Sequence, residues 1–347
     1  MWSKAPTWIV ILIWSATARC VAPEPGPPAT RALEQPCGDP GGDLYEEDHF
    51  VSTTSGAVLH VRERTSDRAQ ARRHPRSILL LSGTFVTGVQ YDARVPGDDS
   101  YNALDLLASV GFNAYAVTYE GYGLSSLPAD GRDVTAERSL HQMGEVVTWI
   151  RQRTGARRVD VLGCSLGSSL AVALGGTESP VPRSHVGRIV LTSHVYRGVT
   201  PLMEQLLFSP ETLAALENAP GGYIMTIPDM YGILLASATP EAAGWGFATF
   251  PGVYAVGPTL EGFELPIFDG QNGRALALQF WGDADLVTPW TDVQQFEAEY
   301  GGDLGVVVLG GGGHAPAFEP VRGEFWWRTL LFLLLPRPFA LLVATGP

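Results

Sequence analysis

The stretch RRVDVLGCSLGSSLAVALGG, residues 157–176, passes from one apolar segment to another through Gly163-Cys164-Ser165-Leu166-Gly167. Its first part has the β-branched, apolar character of a buried strand, and its second part, rich in Leu and Ala, reads as a helix. A serine at such a strand-to-helix turn is held in a strained conformation, and the close approach of strand and helix demands small residues two positions to either side. Gly163 and Gly167 flank Ser165 in that way. Cys164 has Leu162 and Leu166 at the corresponding positions, so it reads as a buried neighbour and not as the nucleophile. In a chain with 40 glycines the pentapeptide alone is a weak signal, and its surroundings decide.

Outward from Ser165 the chain alternates between two hydrophobic periods. Short β-rich runs occur at HFVSTTS, AVLHVRER, SILLLSG, NAYAVTYE, VDVLGCS, RIVLTS, LALQFWG and GVVVLGG. Helical patterns separate most of them, as in Leu140, Met143, Val147 and Ile150 at spacings of three and four. The first two runs, joined through Ser55-Gly56, predict an antiparallel hairpin, and the later all-apolar runs predict parallel strands covered on both faces. The fold class is therefore α/β, a mostly parallel sheet with helices on both faces. Residues 195–272 break the alternation and read as a helical or irregular insertion, a lid or cap between the sixth and seventh strands. Its Met203, Met230, Tyr231, Trp245, Phe250 and Tyr254 suit an apolar pocket above Ser165 or the insertion's own core.

A serine hydroxyl needs a base, and the base needs a carboxylate to fix its tautomer. His314 follows the last strand in VVVLGGGGHAPAF, where a glycine run can present an imidazole at the carboxyl edge of the sheet. The preceding strand ends in LALQFWGDADLVTP, which offers Asp283 and Asp285. With the order Ser, Asp, His complete, the sequence resembles the α/β-hydrolase superfamily over about residues 48–335. The resemblance implies Asp285 as the acid, through Gly282-Asp283-Ala284-Asp285-Leu286-Val287-Thr288-Pro289, with Asp283 as a loop residue or helper. It also implies an oxyanion hole from the backbone N–H groups of Leu166 and, in Ser82-Gly83-Thr84, of Thr84. Ser82 stands where the family usually has His. In VTYEGYGLSS, Thr118 and Glu120 replace the usual Asp and Arg while Gly121, Gly123 and Ser125 are kept, and this segment reads as structural.

The rest of the composition bounds the function. The 347 residues, 45% of them hydrophobic, suffice for a large core. A formal net charge of −13 argues against nucleic acid as a partner. Lys4 is the only lysine, which excludes Schiff-base chemistry and a phosphate-binding lysine motif from the body of the chain. No His-Glu-x-x-His or similar spacing occurs, so neither a metal nor a cofactor is expected.

Residues 1–18 read as a signal peptide with cleavage after Ala18, placing the protein outside the cytoplasm as secreted, periplasmic or cell-surface; a short uncleaved anchor is the other reading. Residues 19–47 form a Pro/Gly-rich tether in which Cys20 and Cys37 either pair or leave Cys20 for lipidation. The hydrolase core comprises 48–194 and 273–335. Residues 336–347 form an apolar tail, cut off by Pro336 and Pro338 from the helix before it, and membrane contact through this tail or the N-terminus stays open. The expected activity is hydrolysis of a carboxylic ester with an apolar acyl or alcohol group through an acyl-enzyme. An aminopeptidase, lactonase, thioesterase or perhydrolase would use the same three residues, and a non-catalytic ligand-binding member of the fold is the alternative from another class.

Overall fold

The computed structural model describes residues 44–66, 76–225, 228–261, 265 and 268–341. The signal peptide, nearly all of the tether with Cys20 and Cys37, and the end of the apolar tail lie outside the described residues. All eight apolar runs form strands of one sheet: β1 (Tyr45–Ser52), β2 (Val58–Thr65), β3 (Arg76–Leu81), β4 (Phe112–Val117), β5 (Val159–Cys164), β6 (Val186–Thr192), β7 (Ala277–Gly282) and β8 (Leu304–Leu309). Their spatial order is β1-β2-β4-β3-β5-β6-β7-β8. The β1–β2 and β2–β4 pairs are antiparallel, and every pair from β4 to β8 is parallel.

Strand β1 starts at Tyr45, inside the segment read as tether. Apolar alternation does not define this start; cross-strand charge does. Glu46 and Asp48 lie opposite Arg64 and Arg62 of β2. Arg62 donates to both oxygens of Asp48 at 2.8 and 2.9 Å, and Arg64 reaches Glu46 at 2.6 Å. Such pairs favour the register and keep the sheet edge polar. The hairpin turn closes where Gly56 adopts φ +83°, and its N–H donates to Thr53 O at 3.0 Å.

The α-helices are α1 (Ala103–Ser109), α2 (Ala136–Thr154), α3 (Leu166–Leu174), α4 (Pro201–Leu207), α5 (Pro210–Glu217), α6 (Pro228–Leu234), α7 (Pro240–Thr249), α8 (Gly257–Glu261), α9 (Trp290–Glu299), α10 (Arg322–Leu334) and, in the segment read as an apolar tail, α11 (Arg337–Ala340). Alternation along the central strands splits the interior into two cores. Leu79, Leu81, Val161 and Leu191 pack with Met143, Val147 and Ile150 of α2 and with Leu170 of α3. On the opposite face Ile78, Leu80, Leu162 and Phe280 pack with Leu107 of α1 and with Phe325 and Phe332 of α10. Each such side chain, wholly removed from water, contributes about 1.5–3 kcal/mol, which is why strands covered on both faces carry no polar alternation. The apolar run FWWRTLLFLLL is thus a sheet-covering helix. Among the described residues no helix is long and apolar enough to cross a membrane.

Between β6 and β7 the chain forms helices α4 to α8 and a two-stranded ribbon of Tyr223–Met225 and Val253–Ala255. Three of these helices begin alike. Thr200, Ser209 and Thr239 each precede a proline in the first turn and accept the N–H of Met203, Thr212 and Ala242. The segment is tied to the core by Arg132, which donates to Glu217 O and Ala219 O at 2.8 and 2.6 Å. Glu120, read as structural, is buried and takes Arg138 in two bonds of 2.6 and 2.7 Å and Gln142 at 2.6 Å.

Not every histidine is on the surface. His60 is buried and bonded to Asp48 at 3.0 Å. His194 is buried against Phe296, ring centroids 4.4 Å apart, with no hydrogen-bond partner for either ring nitrogen among the described residues. Burial holds its pKa down to about 3. A histidine depressed on folding contributes stability that is complete above its unfolded pKa and is lost as pH falls from about 6.5 towards 3. Stability measured by urea denaturation should therefore drop by about 2 kcal/mol from this residue between pH 7 and pH 5, and His194→Leu should remove that part of the slope.

Candidate active site

Strand β5 ends at Cys164, α3 starts at Leu166, and Ser165 between them has φ +52° and ψ −118°. An L-residue at positive φ stores strain, which persists only where neighbours over-determine it. Here the neighbours are backbone. A Cβ on Gly163 would lie 2.2 Å from Gly167 O, and one on Gly167 would lie 2.2 Å from Leu81 O. The two glycines flanking Ser165 are therefore the positions where strand, helix and the end of β3 touch. Ser165 donates its N–H to Thr192 O at 3.0 Å, which anchors the turn to β6.

His314 follows β8 through a glycine turn, and the turn is held at several points. Asp283 accepts the Gly311 N–H at 2.6 Å. Glu319, wholly buried, accepts the N–H groups of Gly313 and Ala315 at 2.6 and 2.9 Å, one on each side of the histidine. Burial pushes the Glu319 carboxyl above its ordinary pKa, while the two N–H groups oppose that shift. Ser193 Oγ donates to His314 O at 2.7 Å. The imidazole Nδ1 faces Asp285, 3.1 Å from each carboxylate oxygen. Asp285 Oδ1 also accepts the N–H groups of Val287 and Thr288 at 2.7 and 3.2 Å. Such an arrangement puts the imidazole proton on Nδ1 and leaves Nε2 as a proton acceptor. His314 Nε2 is buried and has no hydrogen-bond partner among the described residues.

Ser165 and His314 line one cavity of ≈40 Å³, together with Thr84, Tyr231, Leu235 and Phe250. Tyr231, Leu235 and Phe250 come from the segment between β6 and β7. Thr84 thus stands beside Ser165, and Leu166 is the first residue of α3, where a helix N–H has no intrahelical acceptor. The loop does not depend on the usual histidine: Ser82 Oγ donates to Val86 O at 2.9 Å, and Ser82 O accepts from Tyr119 at 2.8 Å. Cys164 reaches the same cavity, but burial raises its pKa to about 11, which keeps it a thiol at neutral pH. Asp285, and not Asp283, is the carboxylate that meets His314 Nδ1; sequence reasoning misses Glu319 and Ser193 and offers Tyr231 only as an apolar pocket residue, without its hydroxyl contacts. Nothing in HAPAFEP marks Glu319, since its partners are main-chain groups.

A larger cavity of ≈390 Å³ lies between the 87–89 loop, Leu124, Leu127 and the 249–254 segment. Among the described residues Glu47, His49 and Glu63 bring three ligand atoms within 4.8 Å of one another. Arg153 bonds both carboxylates there, at 2.6 Å to Glu47 and 2.9 Å to Glu63, so a guanidinium already supplies the positive charge.

Residues 78–323 match the model of the alpha/beta hydrolase family. The chain belongs to the α/β-hydrolase family. This hydrolase is similar in structure to an esterase from Exiguobacterium antarcticum, at 17% identity over 82% of this chain and 98% of that one, TM-score 0.60. A hydrolase from Pseudomonas aeruginosa aligns at 19% identity over 83% and 98% of the two chains, TM-score 0.59. A thioesterase domain from the curacin biosynthetic pathway aligns at 16% identity over 80% and 97%, TM-score 0.55. No curated protein sequence matches the hydrolase.

The strain at Ser165 makes a stability prediction. Glycine adopts φ +52° without steric cost, so Ser165→Gly should be more stable than Ser165→Ala by about 1 kcal/mol, a difference of a few degrees in Tm. Equal melting of the two variants would mean that the turn is unstrained.

Proposed function

We propose that this hydrolase is an exported serine esterase that works through an acyl-enzyme. The observation that carries the reading is that Ser165 and His314 line one cavity while His314 Nδ1 faces Asp285 and its buried Nε2 has no hydrogen-bond partner among the described residues. In this mechanism Ser165 Oγ attacks the ester carbonyl as its proton passes to His314 Nε2, and Asp285 stabilises the imidazolium. The Leu166 and Thr84 N–H groups receive the oxyanion. Collapse of the tetrahedral intermediate returns the proton to the leaving alcohol. Water then attacks the acyl-enzyme, giving up its proton to the same Nε2, and the acid departs as Ser165 is reprotonated. Export rests on the N-terminal sequence, with its apolar run and Ala16-Thr17-Ala18.

The space beside Ser165 bears on substrate size. The leaving alcohol exits before water attacks, so the cavity beside Ser165 is where the acyl group waits. A cavity of about 150 Å³ holds the six carbons of benzene, so ≈40 Å³ takes about two, and because the cavity is partly open a short acyl chain can extend beyond it by about one or two more. Its walls from Tyr231, Leu234, Leu235 and Phe250 are mostly apolar, which favours an alkyl chain over a charged group.

Two experiments test this reading. On p-nitrophenyl esters, acetate to butyrate should be cleaved with kcat/KM at least tenfold above decanoate, and Phe250→Ala should move the optimum to longer chains. Turnover should vanish in Ser165→Ala. Separately, Asp285→Asn should lower kcat by about 10⁴ because the imidazole loses its tautomer, whereas Asp283→Asn, which touches only the Gly311 N–H, should stay within a few-fold of the wild type.

A further inference from the structure

The segment that supplies the cavity wall also reaches behind it. Tyr231, buried in α6, places its hydroxyl 3.1 Å from Phe85 O and 2.9 Å from Phe250 O. Tyr254 donates to Phe250 O as well, so the single Tyr231 proton can serve Phe85 O without leaving Phe250 O unpaired. Phe85 directly follows Thr84 and is one of three non-glycine described residues at positive φ, +60°, the others being Ser165 and Ser193. A bulky residue at that angle is a genuine outlier and requires an external restraint.

The geometry of the loop says what the restraint does. The Phe85 carbonyl belongs to the 85–86 peptide, and the Ser82 hydroxyl holds the next carbonyl, that of Val86. With both carbonyls held, the 85–86 and 86–87 peptides resist the concerted rotation that relaxing φ of Phe85 would require, which steadies the turn next to the Thr84 N–H. The Phe85 ring is held too, edge-on to Tyr254 with centroids 6.0 Å apart. Ser82 supports the loop from its own strand end, whereas Tyr231 supports it from the far side of the cavity, more than 140 residues along the chain.

We propose that Tyr231 is a positioning residue of the oxyanion hole: through Phe85 O it fixes the Thr84 N–H, so that the insertion between β6 and β7 takes part in transition-state stabilisation and not only in enclosing the substrate. The inference rests on the serine-hydrolase reading above, and it concerns kcat, whereas the chain-length preference concerns fit. Removing an oxyanion donor outright costs about 10²–10³ in rate, so loosening one should cost about tenfold to a hundredfold.

The test is steady-state hydrolysis of p-nitrophenyl acetate by the full chain, by Tyr231→Phe and by Tyr300→Phe, which removes a buried hydroxyl from a main-chain carbonyl, that of Ala275, away from the cavity. Inhibition by propylboronic acid, whose adduct with a serine is tetrahedral, is measured beside inhibition by butyramide, which stays planar. Tyr231→Phe is expected to lower kcat by about tenfold or more with KM within twofold, and to weaken propylboronic acid by the same factor while butyramide is unchanged. Tyr300→Phe should stay within threefold of the wild type. A ring-fluorinated tyrosine at position 231 keeps the hydroxyl and the packing and should retain full turnover, including where Tyr231→Phe proves unstable. The proposal is overturned by wild-type kcat in Tyr231→Phe, by equal weakening of both inhibitors, or by the same loss in Tyr300→Phe. Wild-type protein that shows no Ser165-dependent turnover and takes no fluorophosphonate label overturns the serine-hydrolase reading, and this inference with it.

Discussion

The architecture depends on one close approach of backbone to backbone. Where β5 turns into α3, Gly163 meets the main chain of Gly167, and Gly167 meets the carbonyls of Leu81 and Ser82 at the end of β3. No side chain fits in either gap. This contact brings the helix N-terminus, Ser165 and the Ser82–Thr84 loop to one point, and it fixes the register of two central strands against the helix that covers them. Apolar burial on both faces of the sheet supplies the free energy that holds Ser165 at a φ it would not adopt in a free chain.

Around that point the molecule uses main-chain hydrogen bonds more than side-chain pairs. Glu319 grips the peptides on both sides of His314, Asp283 grips Gly311, Ser193 takes the His314 carbonyl, and Ser82 takes Val86. Loops rich in glycine are entropically costly to fix, and each of these bonds removes freedom from a segment that would otherwise sample many shapes. A carboxyl group buried for this purpose is tolerated because it is satisfied: each oxygen of Glu319 accepts one N–H.

What could be read from sequence follows the range of the interactions. The eight strands, the hairpin and the glycine spacing around Ser165 are local patterns, so hydrophobic period and turn chemistry reveal them. Asp285 and His314 are legible because each closes an apolar strand run, which places them on the same sheet edge once the order of strands is known. The start of β1 is hidden because Glu46 and Asp48 look like tether residues until Arg64 and Arg62 stand opposite. Thr200-Pro201, Ser209-Pro210 and Thr239-Pro240 mark helix starts by themselves, a signal available in the sequence and overlooked in reading 195–272 only by composition. Glu319 and the hydroxyl contacts of Tyr231 could not have been found that way. Their partners are carbonyls and N–H groups, which every residue possesses, and only the folded chain says which ones they meet.

The arginine-rich charge pairing has a consequence for alkaline conditions. Each cation that bonds a carboxylate in Arg62–Asp48, Arg64–Glu46, Arg138–Glu120 and Arg153–Glu63 is a guanidinium, and Lys4 is the only lysine in the chain. Guanidinium keeps its proton above about pH 12, beyond the range where ammonium groups discharge. Ion pairs that would dissolve in a lysine-based protein near pH 10 to 11 persist here, and the body of the molecule offers no primary amine to glycation, acylation or aldehyde cross-linking.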